Sequence, residues 1–456
     1  MRQLASARRA TRGFTLVELM VVLAIGLVVS LVLMSVMSYF EGNKRSATTT
    51  NDINSSGNSA MQQIEYAVRG AGGGFTESVA QSFGCMLYAA RNGNTVLPLG
   101  NTSLSTYGAF QNVLTSTNNG INGPIRLAPV IIIKNNTNSN QLVNSTQGKS
   151  DVLITMGAAA SGNGSGGGAA GTYGTLTGPP TVSGTTGTLP MLNSAGFAPS
   201  DIVLLTDDAS SSGRAPCMLT QISKNLAPQG VASVPLGGTF FAPSITSPAG
   251  GSLSLTSNFS VDAAPAPIRN MASTDGGLLN AVDNVPTFQL IGVAGTTTPM
   301  LYTYDLLAGN APVPIADDVI ELHALYGLDQ LPTGAPDNIV DTWMDPVAGS
   351  GYTASDLLAG TEAAAAKIIQ IKAIRVGLIL RSPLVEKSIV APASVTLFNH
   401  LACAQQDPIC GGSYTDSFAY TRTFETSVGG ELYHRYRTVE VTIPIRNAML
   451  VCTTNC

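Results

Sequence analysis

The sequence predicts an α+β chain, in which one long N-terminal α-helix crosses a membrane and leads into a large, antiparallel β-rich head with long loops. Three observations predict it. From Leu19 to Phe40 no side chain is charged, and a helix over that run, rising ~1.5 Å per residue, matches a hydrocarbon core ~30 Å thick. Beyond residue 75, short apolar runs are bounded by Gly, Pro, Asn and Ser, as strands and turns are, and no parallel α/β alternation appears. The third is composition: 48 Gly and 11% charged residues suit an exported β-rich surface better than a cytosolic enzyme. At 456 residues the chain is too long for a single small module, since domains usually hold about 100–200 residues. Its net charge of −5 leaves no footprint for nucleic acid.

Residues 1–13 are a basic leader: Arg2, Arg8, Arg9 and Arg12 stand there with no acid among them. The positive-inside rule keeps this end cytoplasmic and exports the chain beyond the apolar run. A secretory signal peptide has an apolar region of about 7–15 residues and a small-residue cleavage site after it; neither is present. Gly13 lies instead before the apolar run, so a cut there removes the charges and keeps the helix. Residues 14–40 are the membrane span. One carboxylate, Glu18, stands near its start. A carboxylate at the centre of a span costs up to ~2.5–3.5 kcal/mol, less near an end, and is usually paired or functional. The first helical turns also favour a negative charge through the macrodipole. On the residue alone, an interfacial Glu among headgroups is an equal reading.

Residues 41–74 are a polar continuation of the helix. Ile53, Ala60, Ile64, Ala67 and Val68 share roughly one face at helical spacing, while the Ser, Thr and Asn content predicts a kinked or loosened middle. The run Gly70–Gly74 ends the helix, because glycine adopts the left-handed conformation of a C-cap. Residues 75–310 read as a β-rich head, with strands expected in RLAPVIII (126–133), SDVLITM (150–156) and SDIVLLT (200–206). Within it, 161–188 is low in complexity and reads as a mobile surface insertion. Residues 311–456 read as a C-terminal sheet, to which VPIADDVIELHALYGLDQ (313–330) contributes a strand-like run followed by turn chemistry, and KIIQIKAIRVGLILRSP (367–383) and RYRTVEVTIPIRN (435–447) contribute half-buried strands.

Six cysteines, an even number, fit an oxidising compartment. They allow fifteen connectivities, among which sequence does not choose. Local spacing favours Cys403 with Cys410 and Cys452 with Cys456, which leaves Cys85 with Cys217. No CxxC pair is present, and His323, His400 and His434 lack zinc-ligand spacing, so no metal or other cofactor is expected. Asp329, Asp337, Asp341 and Asp345 could hold calcium through oxygen ligands, but their spacing is not that of an EF-hand, and a solvated acidic loop is the simpler expectation. No HExxH and no GxSxG occurs, and the GKS at 148–150 lacks the earlier P-loop glycine. No catalytic residue is assigned, and the expectation is a protein that is not an enzyme.

Gly13-Phe14-Thr15-Leu16-Val17-Glu18, with the basic leader before it and the apolar run after it, resembles the class III signal of type IV prepilins. The resemblance implies cleavage by prepilin peptidase between Gly13 and Phe14, N-methylation of Phe14, and a Glu18 that helps neutralise the α-amine of an adjacent subunit during assembly. The RGAGG element at 69–73, IADDVIELHALYGLD from Ile315, the strand ending LILRS at 378–382, and Tyr436-Arg437-Thr438 with IPIRN at 443–447 resemble the PilW family of minor type IV pilins. That family is itself similar to the J-type minor pseudopilin of type II secretion. The resemblance implies a type IV pilin-like fold and a role in priming pilus assembly from the tip, in support of attachment and twitching motility. It implies as partners other minor pilins, the major pilin, the inner-membrane assembly machinery, a tip adhesin and membrane lipid. Before assembly the chain is expected in the bacterial inner membrane with a periplasmic head, and afterwards in the pilus at the cell surface. A pseudopilin at the tip of a secretion filament and a membrane-anchored surface-binding protein are the alternatives.

Overall fold

A single α-helix spans Leu16–Gly70. The computed structural model describes residues 15–74, 82–98, 110, 125–134, 150–157, 174–195, 197–207, 214–227, 231–246, 251–259, 264–267, 287–294, 299–307, 311–329, 338–399, 418–424 and 430–449. The expected loosening of the helix's polar middle does not occur. The hydroxyls of Thr48, Thr49 and Thr50 donate to the carbonyls of Lys44, Arg45 and Ser46, four residues back, at 3.0, 2.9 and 2.9 Å. These side chains, which disfavour helices when they compete for the backbone, are here satisfied inside the helix.

The chain divides into two compact units, residues 1–52 and 53–456. In the second, the last turns of the helix are a core element. Ile53, Ala60, Met61, Ile64 and Val68 are buried in the main hydrophobic core, with Ala67 packed at its edge. The helix lies close to a sheet at Gly57, where an added Cβ would sit 3.1 Å from Leu380 and 3.3 Å from Val439. That sheet has four strands, Thr342–Met344, Val319–Leu328, Ile371–Arg381 and Tyr436–Pro444, in that order and all antiparallel.

Two of the expected strands are placed differently. Val313–Asp317 belongs to a neighbouring antiparallel sheet, with Met300–Asp305, Thr287–Ala294, Val152–Gly157 and Val130–Ile133. The strand beginning in KIIQ starts only at Ile371, because Glu362–Gln370 is a helix whose N-cap, Thr361, accepts from the Ala364 amide at 3.2 Å. The alanine run 363–366 favours that helix. The strand Ile371–Arg381 is buried on both faces rather than half-buried, and Val319–Leu328 is likewise buried on both.

A third sheet, Ala264–Pro267, Ile202–Thr206, Cys217–Gln221, Leu87–Arg91 and Asn94–Leu97, is antiparallel except where Leu87 and Tyr88 pair in parallel with Cys217 and Met218. Its side chains alternate between two cores, as a period of two dictates. Leu87, Ala89, Leu204 and Leu219 face the main core, while Tyr88, Ala90, Val203, Leu205 and Met218 face a second one. Part of the Gly-rich stretch is ordered: Thr181–Ser183 and Thr186–Pro190 form a hairpin that pairs with Ser233–Leu236, turning at Gly184 with φ +60°. Thus 181–188 is not the mobile insertion expected, and 161–173 lies outside the described residues.

Candidate assembly site

The N-terminal turn of the long helix is built by a reciprocal cap. The amide and hydroxyl of Thr15 donate to Glu18 Oε2 at 3.2 and 3.1 Å, and the Glu18 amide donates to Thr15 Oγ1 at 3.3 Å. This is a capping box, which satisfies helix donors that have no intrahelical acceptor. It ties Glu18 to the first residues of the helix. Both bonds fall on Oε2, and Oε1 accepts no hydrogen bond among the described residues. Glu18 stands out in the sequence, whereas the role of Thr15 was missed there, although Thr-x-x-Glu is the spacing that predicts the box. Gly13 and Phe14, which immediately precede the cap, lie outside the described residues.

Past the cap the shaft is apolar all round. Leu16, Met20, Leu23, Leu27, Leu31 and Met34 are among the exposed apolar side chains, and the helix is long and apolar enough to cross a membrane. A helix of this kind has no polar face to give to water; its stable surroundings are lipid or other apolar helices.

At the other end of the helix two elements far apart in sequence meet. The helix stops at Gly70, as expected, and the chain turns through Gly72 at φ +80°. The Asn447 side-chain amide donates to the carbonyls of Gly70 and Ala71 at 3.3 and 3.0 Å, and the Gly72 amide donates to the Met156 carbonyl at 2.8 Å. The acceptors left over by the last turn are therefore satisfied by the closing strand's extension. At Gly157 an added Cβ would lie 2.8 Å from the Gly70 carbonyl oxygen, so glycine alone permits this approach. The RGAGG and IPIRN elements form one joint.

Cys85 and Cys217 form a disulfide, with Cα atoms 5.7 Å apart, and fasten the chain just after the helix to the third sheet. Cys403, Cys410, Cys452 and Cys456 lie outside the described residues. At the described ends of the acidic stretch, two of its carboxylates are held rather than solvated. Asp329 is buried and accepts from the Asn338 amide at 2.8 Å, and Asp345 pairs with Lys134 at 3.0 Å; Asp337 lies outside the described residues. Among the described residues no three His, Cys, Asp or Glu side chains are grouped to hold a metal ion. His323 and His434 are buried, and His400 lies outside the described residues. His434 Nδ1 is 2.7 Å from the Ser382 carbonyl, and burial pushes its pKa down.

Two family models match the chain: the prokaryotic N-terminal methylation motif over residues 8–34 and Type IV Pilus-assembly protein W over residues 290–447. No curated protein and no solved structure matches it. The two matches support a type IV pilus-associated minor pilin. The first takes in Gly13, Phe14 and the Thr15–Glu18 cap; the second takes in the four-stranded sheet and Asn447.

Proposed function

We propose that a chain with a methylation motif leading into an apolar helix, and a pilus-assembly domain closing its head, is a minor pilin that primes type IV pilus assembly and sits at the pilus tip. The observation that carries this reading is the N-terminal turn: a processing motif, then a capped helix start that holds Glu18, then a wholly apolar shaft. The order of events is set by charge. The leader arginines keep the subunit's end on the cytoplasmic face of the inner membrane, and the head is periplasmic. Cleavage between Gly13 and Phe14 by prepilin peptidase removes those charges and creates an α-amine, which is methylated on Phe14. When the subunit leaves lipid for the filament, Glu18 of one chain meets the α-amine of a neighbour, another minor pilin or the major pilin. Desolvation strengthens that pairing, because opposite charges attract more strongly where water is excluded.

A head of this size, with more than one core, suits one terminal copy better than a repeat along a thin fibre. From the tip it would carry an adhesin and support attachment and twitching motility. The mass of the N-terminal peptide from protein made in its native host tests the first step, and the expected peptide begins with methylated Phe14. A bulky residue at Gly13 blocks processing. Glu18→Ala is processed yet recovered in sheared pili at no more than a small fraction of the wild-type amount; recovery at the normal level would refute the pairing. Deletion of the gene should abolish surface pili. If instead exoprotein secretion fails and pili remain, the chain is a pseudopilin of a type II secretion filament.

A further inference from the structure

The strand Val319–Leu328 buries two ionisable side chains, Glu321 and His323, within an otherwise apolar run. Leu322, Ala324, Tyr326 and Leu328 enter the main core. Glu321, His323 and Leu325 alternate with them and take the other face, as the pleat requires. That face is covered by a hairpin, Ser394–Leu397 with Tyr420–Thr423, whose strands, among the described residues, pair only with each other. A lone two-stranded ladder is marginally stable in water, so side chains must hold it down. The apolar part is small: Ile320, Leu325 and Ile379 beneath, Leu397 and Phe398 above, with Val395, Phe418 and Tyr420 at the margin.

The polar part is a line of charges. The His323 ring lies between two buried carboxylates, with Nε2 3.1 Å from Glu321 Oε2 and Nδ1 3.6 Å from Asp151 Oδ2, the latter an ion-pair distance. Beyond Asp151 come Lys134, at 2.8 Å, and Asp345, 3.0 Å from Lys134. Beyond Glu321 comes Arg422 of the hairpin, which also pairs with Glu431 at 2.6 Å. The Tyr420 hydroxyl donates to Glu321 at 2.8 Å, and its ring stacks on His323 with centroids 3.7 Å apart. On the adjoining strands Arg375 and Glu440 pair with each other at 3.0 Å, and Glu440 also accepts the Phe398 amide at 3.0 Å. With an imidazolium at position 323 the line alternates in sign without a break. With a neutral ring, one of two buried carboxylates faces a nitrogen lone pair, an arrangement costly in a medium of low dielectric.

We propose that this hairpin is a pH-sensitive strap: it stays closed on the sheet while His323 carries both ring protons, and it loosens when the ring loses one, uncovering Ile320, Leu325 and Ile379. Burial opposes the charged ring, but Asp151 and the bond to Glu321 outweigh it and hold the His323 pKa above its ordinary value. The stabilisation is therefore complete at pH below that ordinary value and is lost as pH rises through the folded one. The strap is tight in mildly acidic surroundings and opens toward alkaline ones, whatever role the head plays in a filament.

Hydrogen exchange of the full-length protein in detergent micelles tests this, with the amides of 394–397 and 420–423 read against those of Thr287–Ala294 across mildly acidic to mildly alkaline buffers. Normalised in this way, strap protection falls severalfold as pH rises. In His323→Gln it stays at the loosened level throughout. A flat profile in the wild type, or an undiminished pH dependence in the variant, overturns the proposal. If the variant does not fold, the imidazole NMR titration of His323 in the wild-type chain decides: a ring already neutral in mildly acidic buffer overturns it, and a charged one supports it.

Discussion

Asp151 shows how single residues hold this head together. Burial would raise its pKa, yet Lys134 and His323 beside it hold the carboxyl at about 2, below its ordinary 3.8. A depressed carboxyl contributes stability that is complete above the ordinary value and lost as pH falls toward the folded one. Acid unfolding followed by circular dichroism should therefore steepen in that window for the wild type and flatten for Asp151→Asn. Removing one partner of a buried pair costs about 3–5 kcal/mol, so the variant should also unfold earlier in denaturant at neutral pH. None of this was legible in sequence. Asp151 reads as one residue of the strand expected over 150–156, and His323 as an isolated histidine, because the contacts join 134, 151, 323 and 422 across three sheets. Glu18 was legible, since a carboxylate at the start of an apolar helix stands out against its neighbours. Its partner Thr15 was signalled as well, by spacing alone.

Elements were readable where one face meets one environment. Ile53, Ala60, Ile64 and Val68 keep helical spacing, and the structure buries them in the main core. The glycine run ends the helix where backbone conformation demands it. Elements covered on both sides were harder to read, because Val319–Leu328 and Ile371–Arg381 lose the alternation that distinguishes a strand from a buried helix; the helix before Ile371 was missed for that reason. Gly57, in the middle of a helix, runs against propensity, but the Leu380 and Val439 side chains lie close enough to explain it. Gly57→Val would overfill that contact and cost about 1–3 kcal/mol. Thermal unfolding in detergent should show a lowered midpoint, and Gly26→Val, where an added Cβ meets nothing within 4 Å, is the control expected to leave the head unchanged.

At the scale of the molecule, the third sheet joins the two cores, and the Cys85–Cys217 disulfide fastens it to the chain that leaves the helix, across a separation of 132 residues. Replacing both cysteines with serine should cost about 2–5 kcal/mol, read as a fall in the denaturation midpoint under oxidising conditions. Reductant should produce at least that fall in the wild type and a smaller one in the variant. The Asn447 cap spans a greater distance, with donor and acceptor 376 positions apart along the chain. The N-terminal helix is made first, yet the bond that closes its inner end waits for a residue that follows every strand of the four-stranded sheet. A chain still being synthesised therefore has its helix terminus uncapped until Asn447 is made, and the joint at Gly70 and Ala71 can close only once all four strands of that sheet exist.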